Sequence, residues 1–170
     1  SDPPAASGTT YTGTSFDIGG TSVSSKKLTI TDTGTIKDIN VKMSGRHNHN
    51  INQLDISLIS PYGTIVKLSS KSMSGSAFDQ TTFDDEASTT IGDGSAPYLG
   101  SFKPSEALSG FDSEEMKGEW TLYIYNQDSN IGQLSAWSLT ITHDNSTPSD
   151  PPAASGTTYT GTSFDIGGTS

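Results

Sequence analysis

Residues 132–141 read GQLSAWSLTI, and the second half of this stretch alternates strictly between apolar and polar side chains. Trp137, Leu139 and Ile141 are separated by a single Ser and a single Thr. Successive side chains of a β-strand point to opposite faces, so a period of two predicts a strand with one buried and one exposed face. Trp137 is in phase with the apolar face, and we therefore expect it in a hydrophobic core.

Four further segments show the same alternation. Their apolar members are Leu28 and Ile30; Ile39, Val41 and Met43; Leu54, Ile56 and Leu58; and Trp120, Leu122 and Ile124. Turn residues separate the segments, as in 60-SPYG-63 and 91-IGDG-94. Short helical turns are expected at 106–108 and 112–117, but no long amphipathic helix. These features predict an all-β, jelly-roll-like sandwich of two antiparallel sheets, with Trp120 also in the core.

A perfect repeat joins the two ends of the sequence. Residues 149–170 repeat residues 1–22 without change, which predicts tandem, nearly identical modules in the parent protein. We divide the chain into a linker (1–8), one β-sandwich (9–145), a second linker rich in Pro and small polar residues (146–155) and the first segment of a second, tandem copy (156–170). We expect this last segment to be unfolded or to pair with a neighbouring molecule.

Charge and composition exclude several classes of function. The chain has 9 basic and 19 acidic residues and a formal net charge of −10. Such a surface repels phosphate backbones, so no nucleic-acid partner is expected. The sequence has no Cys, which excludes disulfides and thiolate chemistry. No apolar stretch approaches the length of a membrane span.

Several ordered motifs carry a family resemblance. Residues 54–64, LDISLISPYGT, join an alternating strand to a Ser-Pro-x-Gly-Thr turn. The others are 83-FDDEA-87, 118-GEWTL-122 and the stretch 132–141. Together they resemble the P domain (P/Homo B domain) of subtilisin-like proprotein convertases and bacterial secreted proteases, over about Ile36 to Ile141. The resemblance implies a secreted, non-catalytic β-sandwich that lies beside a catalytic domain and supports its folding and stability.

The residues themselves offer no active site. Gly13-Thr14-Ser15 is similar to the Gly-Thr-Ser of subtilisins, but no helix-forming segment follows it. No Gly-x-Ser-x-Gly elbow is present. We therefore expect an accessory module of a larger secreted protein, such as a bacterial serine protease or another hydrolase. It would stabilise, space or dock the catalytic part, with that part and neighbouring tandem copies as its partners.

A carbohydrate-binding or adhesion module is the alternative. It would use exposed aromatic side chains as stacking platforms for a polysaccharide. The candidates are Tyr123 and Tyr125, on the strand face opposite Trp120, and Tyr62 and Tyr98 in turns. A protein substrate is a further candidate partner.

A structural calcium ion is the expected cofactor. Calcium prefers several oxygen ligands, and closely spaced carboxylates in an irregular segment supply them. Residues 69–111 are expected to be mostly loop, and long loops in compact domains tend to be functional or held by an ion. Asp84 and Asp85 are the preferred ligands, with Asp79 and Asp112 as additional ones. The alternative is a solvated acidic surface.

A zinc site is a weaker alternative. His47 and His49 are two residues apart and would share one face of a strand. A third ligand is not evident in the sequence, and Cys is absent.

Overall fold

Ten strands in two sheets are formed by residues 7–144, the part of the chain that a computed structural model of the protein describes. They are β1 (Ser7–Thr12), β2 (Phe16–Ile18), β3 (Ser22–Ile30), β4 (Thr35–His47), β5 (Leu54–Ile59), β6 (Ile65–Ser70), β7 (Ala77–Phe83), β8 (Gly100–Phe102), β9 (Gly118–Asn126) and β10 (Gly132–Asp144). Of the predicted linker 1–8, residues 7 and 8 belong to β1. The predicted linker 146–155 and the second copy 156–170 lie outside the described residues.

The two sheets form a sandwich, which confirms the predicted all-β fold. One sheet has the order β1-β10-β4-β7-β8, with β2 also paired to β10, and the other has the order β3-β9-β5-β6. Every pairing is antiparallel except that of β7 with β8, which is parallel. No helix within residues 7–144 is long and apolar enough to cross a membrane.

The alternating segments supply the core between the sheets. All their apolar members are buried except Leu28, which is half-buried against the core. Trp120 and Trp137 are confirmed as core residues, at 0% and 1% exposure. Each indole finds a backbone acceptor: Trp120 Nε1 donates to the Met116 carbonyl (2.9 Å) and Trp137 Nε1 to that of Thr14 (3.0 Å). Burying the rings therefore leaves no indole N–H unpaired.

Residues 69–111 lie mostly outside strands and helices, as predicted, but the stretch also contains β7 and β8, two strands that the sequence did not predict. In β7 the buried residues are Phe78, Thr81 and Phe83, so the spacing is three and then two. The break in the alternation accompanies a change of register against β4 and a positive φ of 47° at Gln80. A strand interrupted in this way lacks the period of two by which strands are recognised in a sequence.

The expected helical turns at 106–108 and 112–117 are also misplaced. Short 3-10 turns occur at Ile51–Gln53, Ile91–Asp93 and Leu108–Phe111. The last of these turns buries Leu108 and Phe111. Burial of these two side chains fixes its position.

Candidate functional site

Five acidic side chains from three parts of the fold interact at the end of β7. This acidic cluster consists of Asp38, Asp84, Asp85, Glu86 and Asp112. Asp84, Asp85 and Glu86 directly follow β7, and Asp38 lies in the adjacent strand β4. The Glu86 backbone N–H donates to Asp84 Oδ1 (2.9 Å), which holds the consecutive acids in a tight turn. Asp112 follows the 3-10 turn at 108–111.

Burial, hydrogen bonding and the neighbouring negative charges together raise the pKa values of three members of the acidic cluster. Hydrogen bonding to Asp84, with loss of solvation and the nearby negative charges, raises the pKa of Glu86 to about 7. Burial, followed by the charge of Asp84, raises the pKa of Asp38. Burial, followed by the charges of Asp38 and Asp85, raises the pKa of Asp112, although Lys37 opposes this shift. The site therefore carries more negative charge than its surroundings neutralise.

This crowding predicts an inverse pH dependence of stability. The folded-state pKa of Glu86 is about 7 against an ordinary value of 4.5, so between these values the folded chain binds more protons than the unfolded chain. Without divalent cations, Tm should therefore rise as the pH falls from about 8 to about 5. Because Glu86 is exposed, screening by solvent limits the expected rise in Tm to about a few degrees. Asp128 has the opposite effect on stability, because the backbone N–H of Asn130 chiefly lowers its pKa. Its contribution to stability is lost only as the pH falls below its ordinary pKa of 3.8.

The check is a series of thermal unfolding curves in chelator across this pH range. Glu86→Gln should flatten the dependence, because the variant cannot take up the proton. A Tm that falls steadily from about pH 8 to about pH 5 would contradict the crowding.

Asp85 has a local structural task within the acidic cluster. Its Oδ1 accepts the backbone N–H of Leu108 and its Oδ2 that of Ser109, both at 2.8 Å. The carboxylate thus ties the turn after β7 to the start of the 3-10 turn at 108–111. One lone pair on each oxygen remains for another partner.

Asp79 is placed away from the acidic cluster. It lies within β7, where its Oδ1 accepts a hydrogen bond from the Ser44 hydroxyl (3.3 Å). It lines a shallow depression of about 560 Å³ together with Lys42, Gln80 and Trp137. Of the four predicted ligands, the structure therefore brings together Asp84, Asp85 and Asp112.

Two members of the acidic cluster were absent from the predicted ligands. Glu86 is adjacent in sequence to two of those ligands and was recognisable from the same motif. Asp38 carried no such signal, since it occupies an ordinary polar position in an alternating strand. Only the pairing of β4 with β7, which sets Val41 opposite Phe83, brings Asp38 to the residues after Phe83.

The acidic cluster has the charge to attract a cation, but its side chains are not already arranged around a metal position. Within residues 7–144, no three His, Cys, Asp or Glu side chains already surround a point where a metal ion could sit. The oxygens are of the type that calcium prefers, and a bound cation would offset the negative charge that these carboxylates place close together.

The two histidines considered as zinc ligands have separate hydrogen-bond partners. His47 is buried at the end of β4, and its Nδ1 accepts the backbone N–H groups of His49 (3.1 Å) and Asn50 (3.0 Å). Its Nε2 therefore carries the proton and donates to Asn126 Oδ1 (3.2 Å). His49 lies beyond β4 and its Nδ1 contacts Asp128 Oδ2. Both ring nitrogens of His47 are engaged, so the two imidazoles do not form a shared face for a metal.

The four tyrosines proposed as stacking platforms differ in exposure. Tyr123 and Tyr125 lie on the outer face of the four-stranded sheet, as expected, with Val23 directly opposite Tyr125. Tyr62 is exposed in its turn. Tyr98 is instead 2% exposed, because its ring packs in the core and its hydroxyl accepts a backbone N–H. Tyr98 is therefore removed from the possible platforms.

These features define the chain as a β-sandwich domain with an acidic cluster beside one of its two sheets. The family described as the proprotein convertase P-domain matches residues 36–141. This is more than half of the chain, and the chain belongs to that family. The P domain is a non-catalytic domain of proprotein convertases. No curated protein matches the chain.

Solved structures show the same fold. The crystal structure of a serine protease of Aeromonas sobria matches at 16% sequence identity with a TM-score of 0.50, over 84% of this chain and 28% of that one. The complex of the Aeromonas sobria serine protease with its chaperone matches at 18% identity, again with a TM-score of 0.50 and the same coverage. The chain thus spans less than a third of the length of these relatives.

Proposed function

We propose that this chain is a non-catalytic accessory module of a larger secreted protein, and that it stabilises and docks a protease or other hydrolase catalytic part. The observation that carries the proposal is the family match, which runs from β4 to β10 and so includes strands of both sheets. It therefore reflects most of a two-layer core rather than a short motif. The likeness to a portion of a serine protease supports the same function.

The outer face of the four-stranded sheet is the surface we assign to docking. Val23 (46% exposed) and Tyr125 (37%) lie side by side there, one on the edge strand β3 and the other on the neighbouring strand β9. Exposed apolar side chains grouped in this way are typical of protein contacts.

The same face is the one observation that favours the alternative, a carbohydrate-binding or adhesion module. Tyr123 and Tyr125 are two residues apart on one strand and present their rings on the same side of the sheet. Retention of the protein in gels that contain polysaccharide would favour this function over docking.

Calcium is the second part of the proposal. The ion would be held by Asp84 and Asp85, with Glu86, Asp38 and Asp112 adjacent, and would supply the positive charge that the acidic cluster lacks. Asp79 is left out because it lies elsewhere in β7. The ion's role would be structural: it would join β4, the turn after β7 and the turn at 108–111.

Calcium should raise the thermal midpoint of the wild-type protein. A ligand at a hundredfold excess over its Kd stabilises a fold by about 2.7 kcal/mol, which corresponds to a rise in Tm of about 5–10 °C for a chain of this size. Magnesium should raise it far less, because it loses its waters reluctantly and demands strict octahedral geometry.

Asp84→Asn should abolish the calcium-dependent rise. Asp17→Asn is the matched control. Asp17 is an exposed residue of β2, at the edge of the six-stranded sheet that is opposite to β7 and β8. An equal rise with Asp84→Asn would refute the placement of the ion. No rise in the wild type would refute calcium binding and leave the accessory function standing.

A further inference from the structure

One side of β10 accepts a strand at the edge of the six-stranded sheet. Its other side pairs with β4 along the whole strand. The segment Ser7–Ile18, here called the edge segment, contains β1 and β2 and runs antiparallel to β10, from Ser7 opposite His143 to Ile18 opposite Gly132. Among residues 7–144, β1 and β2 have no other strand partner. The edge segment can therefore leave β10 without breaking any other strand pairing.

The acceptor side of β10 selects for particular residues of the edge segment. A Cβ added at Gly13 would lie 2.1 Å from the Trp137 ring, so only glycine fits there. The Gly13 N–H donates to the Trp137 carbonyl (2.9 Å), and the Tyr11 hydroxyl donates to Asp32 Oδ2 (2.7 Å). Ile18 is fully buried in the core. A competing strand would need all of these features in the same order.

Residues 155–166 have all of these features, since they repeat the sequence of Ser7–Ile18 without change. Tyr159, Gly161 and Ile166 stand at the positions of Tyr11, Gly13 and Ile18. We propose that residues 155–166 compete with the edge segment for β10 of the same molecule. The ligand of this acceptor is thus a second, identical strand of the chain itself.

The connection to β10 is long enough for this exchange. In the register of the edge segment, Ser155 would lie opposite His143, beside the end of β10. Residues 145–154 span up to about 33 Å when extended, whereas paired strands are about 4.8 Å apart. A chain that turns back after β10 also runs antiparallel to it, as the acceptor requires.

The edge segment remains the main occupant because its own connection is shorter. Only residues 19–21 join it to β3, against ten residues for the second copy, and loop closure favours the shorter connection by about sixfold. The second copy is therefore a reserve strand. In a tandem array, each module would be able to supply the edge strand of the module before it.

Four forms of the full chain test this competition: the wild type, Gly13→Val, Gly161→Val and the double variant. Gly161→Val should leave Tm unchanged. Gly13→Val should lower Tm by only about 3 °C, because residues 155–166 replace the edge segment, whereas the double variant should lose about 10 °C or its cooperative transition. Gly8→Val is the control in the same strand, since a Cβ there approaches no atom closer than 3.7 Å.

A loss in Gly13→Val as large as that of the double variant would overturn the proposal, and so would a double variant that loses no more than Gly13→Val. Disulfide formation gives a second measurement, because the chain has no cysteine of its own. Since Thr12 pairs with Ser138, the pair Ser138→Cys/Thr160→Cys should close within one molecule once Gly13→Val is added. A dimer linked by this disulfide would instead mean exchange between molecules and overturn the proposal.

Discussion

Replacing Trp120 with Ala is expected to lower the free energy of unfolding by about 3–5 kcal/mol. The ring is fully buried between the sheets and meets Phe111 edge to face, with centroids 5.2 Å apart. Its loss leaves a cavity and also removes the donor to the Met116 carbonyl. Urea unfolding followed by far-UV circular dichroism measures the change, because the signal does not depend on the tryptophan that is removed.

Two other variants separate the contributions at this position. Trp120→Phe keeps most of the apolar volume but leaves the Met116 carbonyl without its donor, so we expect an intermediate loss of about 1–3 kcal/mol. Thr121→Ala changes the next, half-buried position of the same strand and should cost less than about 1 kcal/mol. A Trp120→Ala variant no less stable than Thr121→Ala would contradict the assignment of Trp120 to the core.

Asn126→Ala is the second large effect, with an expected loss of about 2–4 kcal/mol. The side chain is fully buried, and its amide nitrogen donates to the carbonyls of Gly19 (2.9 Å) and Asn130 (2.7 Å). Its oxygen accepts from His47 Nε2 and from the Asp128 backbone N–H (3.0 Å). One side chain thus joins the β2–β3 connection, the β9–β10 turn and the end of β4. Alanine would leave all four partners to find other bonds.

The direction of these hydrogen bonds gives the stricter test of Asn126. Asn126→Asp keeps an oxygen for His47 but turns the carboxylate toward two carbonyls, so it should destabilise at least as much as Ala near neutral pH. Gln127→Ala, at the exposed neighbouring position, should be close to neutral. Chemical denaturation compares the three variants. A neutral Asn126→Asp would show that the amide donor is dispensable.

The sequence predicted those parts of the fold whose apolar residues repeat without interruption. In the segments 39–43 of β4, 54–58 of β5, 120–124 of β9 and 137–141 of β10, the apolar residues alternate with a period of two, so strand and buried face could both be predicted. In β7 the break at Gln80 separates Phe78 from the later buried positions, and the strand was taken for loop. The parallel pairing of β7 with β8 was missed for a related reason, because β8 has only three residues.

The candidate site was predictable only where its residues are neighbours in the chain. The run from Asp84 to Glu86 is visible as a motif, whereas Asp38 joins it through strand pairing that no local pattern encodes. Asp79 was included because it is close in sequence, but it belongs to the strand rather than to the turn. The hydrogen bond of His47 Nε2 to Asn126 was also not predictable, since it depends on the end of β9 meeting the end of β4.

Direct titration of the protein with calcium tests the calcium-stabilised accessory module most directly. In isothermal calorimetry after treatment with chelator, we expect saturable calcium binding to the wild type and to Asp17→Asn. We expect this binding to be lost in the variant Asp84→Asn/Glu86→Gln. Heats no larger than those of dilution in the wild type, or equal binding in the double variant, would contradict this expectation. The acidic cluster would then be a solvated surface of an accessory module that needs no ion.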